Sequence, residues 1–572
     1  MKKNWHILQP DDGFVRKIQS ALKCGRHMGI VLANRNMAEP EKLPEFINPA
    51  LSGLRSPWLL KDMDKAVRRI ARALKRREKI LIFGDYDVDG VAATSILLEF
   101  LTAAGARVSH YIPHRIQEGY SLSTAHITDV AAPEKVDLII TVDCGISAHD
   151  AVAAAAEKGV DVVITDHHRL DGLPPPAAAA VNPKRPDCES GLDFLAGAGV
   201  ALYVAIGLRK HLRDIGFWKD TPEPNLLGLC DLAALGTAAD QVPMVDENRI
   251  LTRAGIDLIN RGPRTGLDAL MKTSGIAGRE IDSEDILFRL APRLNAAGRM
   301  DHAGQAVDLL LSKDPGRARK AARRLSALNE DRKAGENLIF KDALERVRKD
   351  PSLPGKGPLV LSSPDWHEGI IGIVASRLAE KFSMPAILIS TRSGIGKGSG
   401  RSVRGFDLYR ALSRASGELE RFGGHAMAAG FSIREKNIPR FRGNLQKISA
   451  ECSAPGGPGP GLVIDCRLDF AHITHRLMNE LKSLQPFGPG NAEPLFMAEN
   501  VSAVSSKILS GGHRRMALSQ DGGRKTLHAI HFNFNGSPDM PPPTVFEKIA
   551  FRLRWNRWKN QKIPQAVIED IA

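Results

Sequence analysis

Cysteine is scarce and scattered: six residues, at 24, 144, 188, 230, 452 and 466, with no CxxC pair among them. That pattern excludes a zinc ribbon and a disulfide framework and fits a reduced, cytoplasmic setting. Aromatic residues make up only 5% of the chain, too few for a surface built mainly of stacking platforms. No apolar run reaches the roughly 18 residues of a membrane span. The opening stretch MKKNWHILQPDDG has no apolar core, so no secretory signal is expected. A GxxxxGK[ST] phosphate loop is missing as well, which leaves ATP-driven motor work without support. An acidic excess is also missing: the formal charge is +14 over 572 residues. That balance favours a polyanionic partner such as nucleic acid, held mainly through its backbone phosphates.

What is present reads as several folded domains, because 572 residues are too many for one hydrophobic core. Residues 1–60 read as a loosely patterned extension with several Pro and Gly, to which the pattern assigns no role. From DMDKAVRRIARALKRREK onward, short apolar runs alternate with helical stretches: KILIFGD, then VAATSILLEFLTAAGA, RVSHYIP, VDLIITVDCG and VDVVITDHHR. Strand, polar residues at its end, then helix is the rhythm of a parallel α/β sheet, whose ligands gather beyond the carboxyl ends of the strands. The divisions expected are a catalytic α/β domain over 61–245, a helical connector over 246–350 and a second α/β domain over 351–452. A linker, SAPGGPGPG, follows at 453–461, then a small β domain over 462–572. Residues 314–350 are charged and free of interior proline, and predict one or two connecting helices.

The stretch ILIFGDYDVDGVAATS places Asp85, Asp87 and Asp89 between two apolar runs. In an extended segment the three side chains share one face, with Gly90 turning the chain into a helix that begins near Val91. Three like charges so close repel one another unless a cation neutralises them. Asp143, the Asp166-His167-His168 run and Asp240 follow the ends of further apolar segments. A lone HH pair is more often packing or surface histidine, and a lone Asp here is as readily a helix cap; the repetition carries the signal. Carboxylates with one imidazole suit Mg²⁺ or Mn²⁺ better than zinc. Five or more such ligands can hold two ions, and the chemistry that fits is phosphoester or phosphoanhydride hydrolysis.

Basic elements stand ready for the substrate. His114 and Arg115 fall just past a strand, on the sheet edge that carries the acids. GIGKGSGRSVRG combines Lys397, Ser399, Arg401 and Arg404 with glycines, and predicts a phosphate-binding loop; the plain alternative is a glycine hairpin. His425, in RFGGHAMAAGF, stands ahead of small residues expected to let a helix approach. Trp555 and Trp558, interleaved with arginines, are spaced onto opposite strand faces, so at least one is expected in a core.

Taken together, GDYDVDG, VDCG, TDHHR, LGTAAD, APRLNAAGRM, WHEGIIGIVASRLAE, SGRSVRGFDL, GGHAMAAG and LQPFGPGNAEP resemble the DHH phosphoesterase superfamily, and within it the single-strand-specific exonuclease branch. The resemblance runs from about residue 80 to 494; Ala492 stands where proline is common, a change of turn stiffness only. It implies a DHH-type parallel-sheet domain, a helical connector, a DHHA1-type domain and an OB-fold barrel. It implies 5′→3′ hydrolysis of single-stranded DNA to 5′-mononucleotides with two Mg²⁺ or Mn²⁺ ions, in repair and recombination. Residue by residue, it makes Asp85, Asp87, Asp89, Asp143, His167 and Asp240 the metal set, with Asp143 bridging. Asp166 becomes the orienting carboxylate, and His168 stands nearer the substrate phosphate. Arg115, Ser399 and Arg401 become anchors of the 5′ phosphate, with His425 as a further substrate residue. Asn295 and Arg299 fall on the DNA path, to which His114, Lys397 and Arg404 are also assigned. A monomer working beside a helicase and a single-strand-binding protein is expected. Two rivals stay open: a small-substrate DHH phosphoesterase cleaving oligonucleotides, cyclic dinucleotides or polyphosphate, and a non-catalytic single-strand-binding scaffold. The β domain and high positive charge argue against the first, the completely filled metal set against the second.

Overall fold

The computed structural model describes residues 4–35, 40–170, 172–350, 353, 357–392, 394–452, 461–509, 512–534, 544–558 and 561–572. Most of the linker expected at 453–461 lies outside them. Among the described residues no helix is long and apolar enough to cross a membrane.

The first sheet is wholly parallel. Its strands lie in the order Arg107–Tyr111, Lys79–Gly84, Leu138–Val142, Asp161–Thr165 and Ala179–Val181. The runs are nearly continuous in apolar residues because both faces are covered. Ile80 and Ile82 pack against helices Met63–Arg76, Val88–Ala103 and Gly197–Asp214. Leu81 and Phe83, pointing the other way, pack with Ile127, Val152 and Ala155. The chain leaves Lys79–Gly84 for a neighbour on one side and then crosses to Leu138–Val142 on the other. Such a switch opens a crevice at the strands' carboxyl ends.

Helices from Asp246–Arg261 to Ala291–Met300 form the connector, and residues 314–350 become a single helix, Pro315–Lys349, capped by Asp314. The second lobe has a five-stranded mixed sheet, ordered Leu419–His425, Ala428–Arg434, Ile395–Arg401, Ala386–Arg392 and Leu359–Ser363. Its glycine-rich segment departs from the expected phosphate-binding loop. Residues 395–401 are an interior strand, paired on both sides. The glycines make room for neighbours: a Cβ on Gly398 would stand 2.1 Å from the Phe431 ring. RFGGHAMAAGF likewise forms a β-hairpin, not a site of helix approach.

Residues 466–571 form a barrel in which strand Phe496–Leu509 also pairs with Val545–Trp558 and so closes the sheet. The N-terminal segment is no loose extension. Strand Trp5–Ile7 pairs with Leu462–Ile464, more than four hundred residues away. Val15 and Ile18 of helix Asp12–Leu22, and Met28 and Leu32 of helix Arg26–Ala33, share one core with Leu477 and Leu481 of helix His475–Ser483 and with the barrel strands. Arg249 locks this unit to the connector. It is buried, lies 4.1 Å from the Phe46 ring, and donates to the carbonyls of Phe46, Ser483, Leu484 and Pro486.

Candidate metal centre and its arginine rim

Asp85 follows directly on strand Lys79–Gly84. The helix then begins at Val88, earlier than the sequence pattern predicts, so the three aspartates do not share an extended face. Asp87 caps that helix, accepting from the backbone N–H groups of Asp89 at 2.9 Å and Gly90 at 3.2 Å. Asp89 lies in the first helical turn, which aims its carboxylate back at the sheet. Gly90 is required because a Cβ there would stand 2.5 Å from the Asp85 carbonyl.

Asp143 follows strand Leu138–Val142 in the left-handed conformation, φ 60°. His167 follows strand Asp161–Thr165 by one residue. Asp240 is the last residue of helix Cys230–Asp240, so this carboxylate comes from a helix end and not from a strand. The folding brings all six together. Three clusters form, each with its ligand atoms within 4.8 Å of one another: Asp85, Asp87 and Asp143; Asp89, His167 and Asp240; Asp143, His167 and His168. His167 Nε2 stands 3.0 Å from Asp143 Oδ1 and 3.7 Å from both Asp89 Oδ2 and Asp240 Oδ2.

Asp85 Oδ1, Asp143 Oδ1 and both ring nitrogens of His167 are buried without a hydrogen-bond partner. Buried polar atoms are rarely left so, and four in one crevice, three of them on shared clusters, fit a divalent cation bound by oxygen and one imidazole. The protonation balance agrees. Burial and neighbouring carboxylates push Asp85, Asp89 and Asp143 well above the usual range, and raise Asp240 to about 7. Burial and the charge of His168 lower His167 to about 3.

Asp166 does different work. Its Oδ1 accepts from the backbone N–H of His167 at 2.7 Å and of His168 at 3.0 Å, and lies 2.8 Å from His168 Nδ1; its Oδ2 accepts from Ile146 N at 3.0 Å. Burial alone would raise both groups' cost of charge. The contact overrides it, taking Asp166 down to about 2 and His168 up to about 9. Tyr120, which the sequence reading missed, brings its hydroxyl within 3.2 Å of His168 Nδ1. Asn182, also missed, donates to the His168 carbonyl at 2.9 Å. Tyr120 lies five residues past Arg115 and Asn182 thirteen past the TDHHR run, and nothing local marks where their side chains point.

A basic rim faces the acids. Arg115 lies 4.6 Å from the Tyr86 ring. Arg401 Nη1 donates to Ser399 Oγ at 3.3 Å, and Gly372 leaves room for both: a Cβ there would stand 2.9 Å from Ser399 Oγ and 3.2 Å from Arg401 Nη2. Arg299 donates to the Gly369 carbonyl at 3.3 Å, and burial together with Arg115, Arg332 and Arg401 lowers it to about 9. Asn295 Oδ1 accepts from Val88 N at 3.2 Å, joining connector to metal helix. His114 uses Nδ1 to accept from Ile116 N and Gln117 N, so its imidazole shapes the turn carrying Arg115. Lys397 is turned onto Ser432, while Arg404 and His425 stand exposed. Trp555 packs against the barrel core with His475 and Lys562 beside its ring; the Trp558 side chain lies outside the described residues.

Comparison with known proteins accounts for this arrangement. The chain is 34% identical over 573 residues to the single-stranded-DNA-specific exonuclease RecJ of Bacillus subtilis, spanning 100% of this chain and 71% of that protein. It is 35% identical over 578 residues to the Escherichia coli protein of the same name, spanning 95% and 99%. The chain belongs to the RecJ family. Three family models divide it: the DHH family N-terminal domain over 79–237, the DHHA1 domain over 356–451 and the RecJ OB domain over 464–570. Asp240 thus lies just past the end of the DHH match. The crystal structure of RecJ in complex with Mn²⁺ from Thermus thermophilus superposes with a TM-score of 0.82 at 30% identity, covering 100% of this chain and 79% of that one.

Proposed function

We infer that this protein is a metal-dependent, single-stranded-DNA-specific exonuclease of DNA repair and recombination. The observation that carries the reading is the buried set of unpaired carboxylate and imidazole atoms facing a rim of guanidinium groups. RecJ family membership over nearly the whole chain gives that set its substrate.

Two cations fit the three clusters if Asp143 is shared. Asp85, Asp87 and Asp143 would hold one; Asp89, His167 and Asp240, with Asp143, the other. Bound there, divalent ions supply activation of water and neutralise charge on the phosphoryl oxygens. The chain's own groups do the rest. Asp166 keeps His168 protonated and fixes its ring through Nδ1, leaving Nε2 free to donate to a phosphate oxygen. Arg115, Ser399 and Arg401 grip the 5′ phosphate, which sets 5′→3′ polarity and release of 5′-mononucleotides. Arg299 and Asn295 line the strand as it leaves. His425 and Arg404, exposed on the second lobe, are assigned to the outer substrate path, and Lys397 to supporting the strand that carries Ser399. Family resemblance supports a cytoplasmic monomer working beside a helicase and a single-strand-binding protein.

The test uses one oligonucleotide labelled at either end, with Mn²⁺ or Mg²⁺ and a blunt duplex as control. Immediate release of the 5′ label as mononucleotide, gradual shortening of 3′-labelled strand, and loss of both in Asp87→Ala are expected. Survival of long strands with cleavage of dinucleotides would sink the polymer reading.

A further inference from the structure

One element joins the metal centre to the barrel side of the molecule: helix Ala291–Met300 and the π-turn Ile286–Leu290 that leads into it. Its closed side enters the catalytic core through Ile286, Leu290, Leu294 and Ala297. Its open side carries Phe288, Arg289, Pro292, Arg293, Asn295 and Arg299. Positions 288, 292, 295 and 299 recur at the spacing of one helix side. Arg299 and Asn295, at the inner end, already touch the metal helix and the guanidinium rim.

The outer end has no role yet. Phe288 is 68% exposed, more than any other aromatic residue among the described ones. A single exposed apolar residue is ordinary, but this one stands on a π-turn, a distortion that recurs at functional sites. It also lines a cavity of about 970 Å³ between connector and barrel, whose lining mixes bases such as Arg261, Arg279 and Lys562 with acids such as Glu280, Glu284 and Asp285. The neighbouring Trp555 ring is already covered by His475 and Lys562, so Phe288 offers the free aromatic face there. Arg289 makes only a 3.3 Å pair with Asp285 at 53% exposure, a weak contact in water. Arg293 Nε is buried without a partner. Arg289, Arg293 and Arg299 along one helix, with an exposed aromatic face at its outer end, are what a single strand needs: phosphates tracked by charge, a base held by stacking.

We propose that the open side of this helix is the track by which the single strand leaves the metal centre, and that Phe288 is a base-stacking platform at its outer end. The inference rests on the exonuclease reading above. Phe288 lies eleven residues from Arg299, about 16 Å along a helix. That span holds about five nucleotides at the stacked spacing of ~3.4 Å, and fewer if the strand is extended.

A length series of 5′-phosphorylated oligonucleotides, from dinucleotide upward, tests this on the full chain with Mn²⁺. For the unmodified enzyme, KM falls in a step at the length that reaches Phe288. Phe288→Ala raises KM about tenfold beyond that step, as expected for one stacked base, with kcat kept and the loss confined to the longer strands. Phe288→Trp restores the step and Phe288→Leu does not, which separates stacking from simple apolar contact. Equal loss at every length, no loss at any length, or rescue by leucine as full as by tryptophan would overturn the platform. An unmodified enzyme that cuts no single strand would instead overturn the parent reading, and this inference with it.

Discussion

Asp89 accepts from two successive backbone N–H groups at the start of helix Gly197–Asp214: Gly197 N at 2.6 Å to Oδ2, and Ala198 N at 2.9 Å to Oδ1. The side chain is buried, and Gly197 and Gly236 make way for it and for Asp143. Asp89 therefore joins two helices while keeping Oδ2 within 3.7 Å of His167 Nε2. Asp87 has a lesser structural part, as the cap of its own helix. Asp89→Ala should abolish nuclease activity and cost about 2 to 3 kcal/mol by orphaning two buried donors. Asp87→Ala should abolish activity at about 1 kcal/mol, the usual worth of a cap. Denaturant melts in chelator, beside strand-cleavage assays, separate the two; equal stability losses would show that the Asp89 bonds contribute nothing.

Asp143 belongs to two of the three clusters and faces the charges of Asp85, Asp87, Asp89 and Asp240, in a left-handed conformation that asparagine tolerates. Asp143→Asn should stabilise the metal-free protein by about 1 kcal/mol while removing cleavage, the trade of stability for activity common at charged sites. A lower melting temperature for the variant in chelator would contradict this.

The same repulsion gives stability a pH dependence. Burial and neighbouring carboxylates raise Asp240 to about 7 in the fold from an ordinary 3.8, and push Asp85, Asp89 and Asp143 well above the ordinary value too. A raised folded value means the native state holds the proton longer. Its stabilisation is full below about pH 4 and is lost as pH climbs through 7. In chelator the melting temperature contributed by this site should fall across that window. Mn²⁺ at a hundredfold its dissociation constant should add about 2.7 kcal/mol at pH 8 and flatten the fall. Thermal melts from pH 5 to 8, with and without Mn²⁺, measure both.

Removal of residues 1–47 should unfold the barrel unit. Val15, Ile18, Met28 and Leu32 would leave its core exposed, and Arg249 would lose the Phe46 carbonyl and ring. Loss of several buried apolar side chains, each worth about 2 kcal/mol or more, exceeds what such a unit can spare. Protease digestion should then stop at a fragment lacking the barrel; a resistant full-length remainder would show the segment to be dispensable.

The gathering of the aspartates and His167 was legible because its cues are local. Apolar runs ending in Asp or His announce a parallel sheet with its ligands at one edge, and the spacing of Asp85, Asp87 and Asp89 survives any error about where the helix starts. Tyr120 and Asn182 left no such trace, since their contacts with His168 depend on loops whose path no periodicity encodes. The glycines at 396, 398 and 400 misled for a related reason. Glycine signals conformational freedom in a sequence, but here it answers crowding by Ile389, Phe431 and Leu408.

Residue chemistry alone thus determined the reaction class and the ligand types, because carboxylates, imidazole and guanidinium keep their affinities in any fold. Tertiary structure decided which of them gather in one cluster, which histidine is held by Asp166, and where the first fifty residues belong. Those outcomes rest on packing between segments up to several hundred residues apart, and a pattern read within one turn or one strand carries no record of such partners.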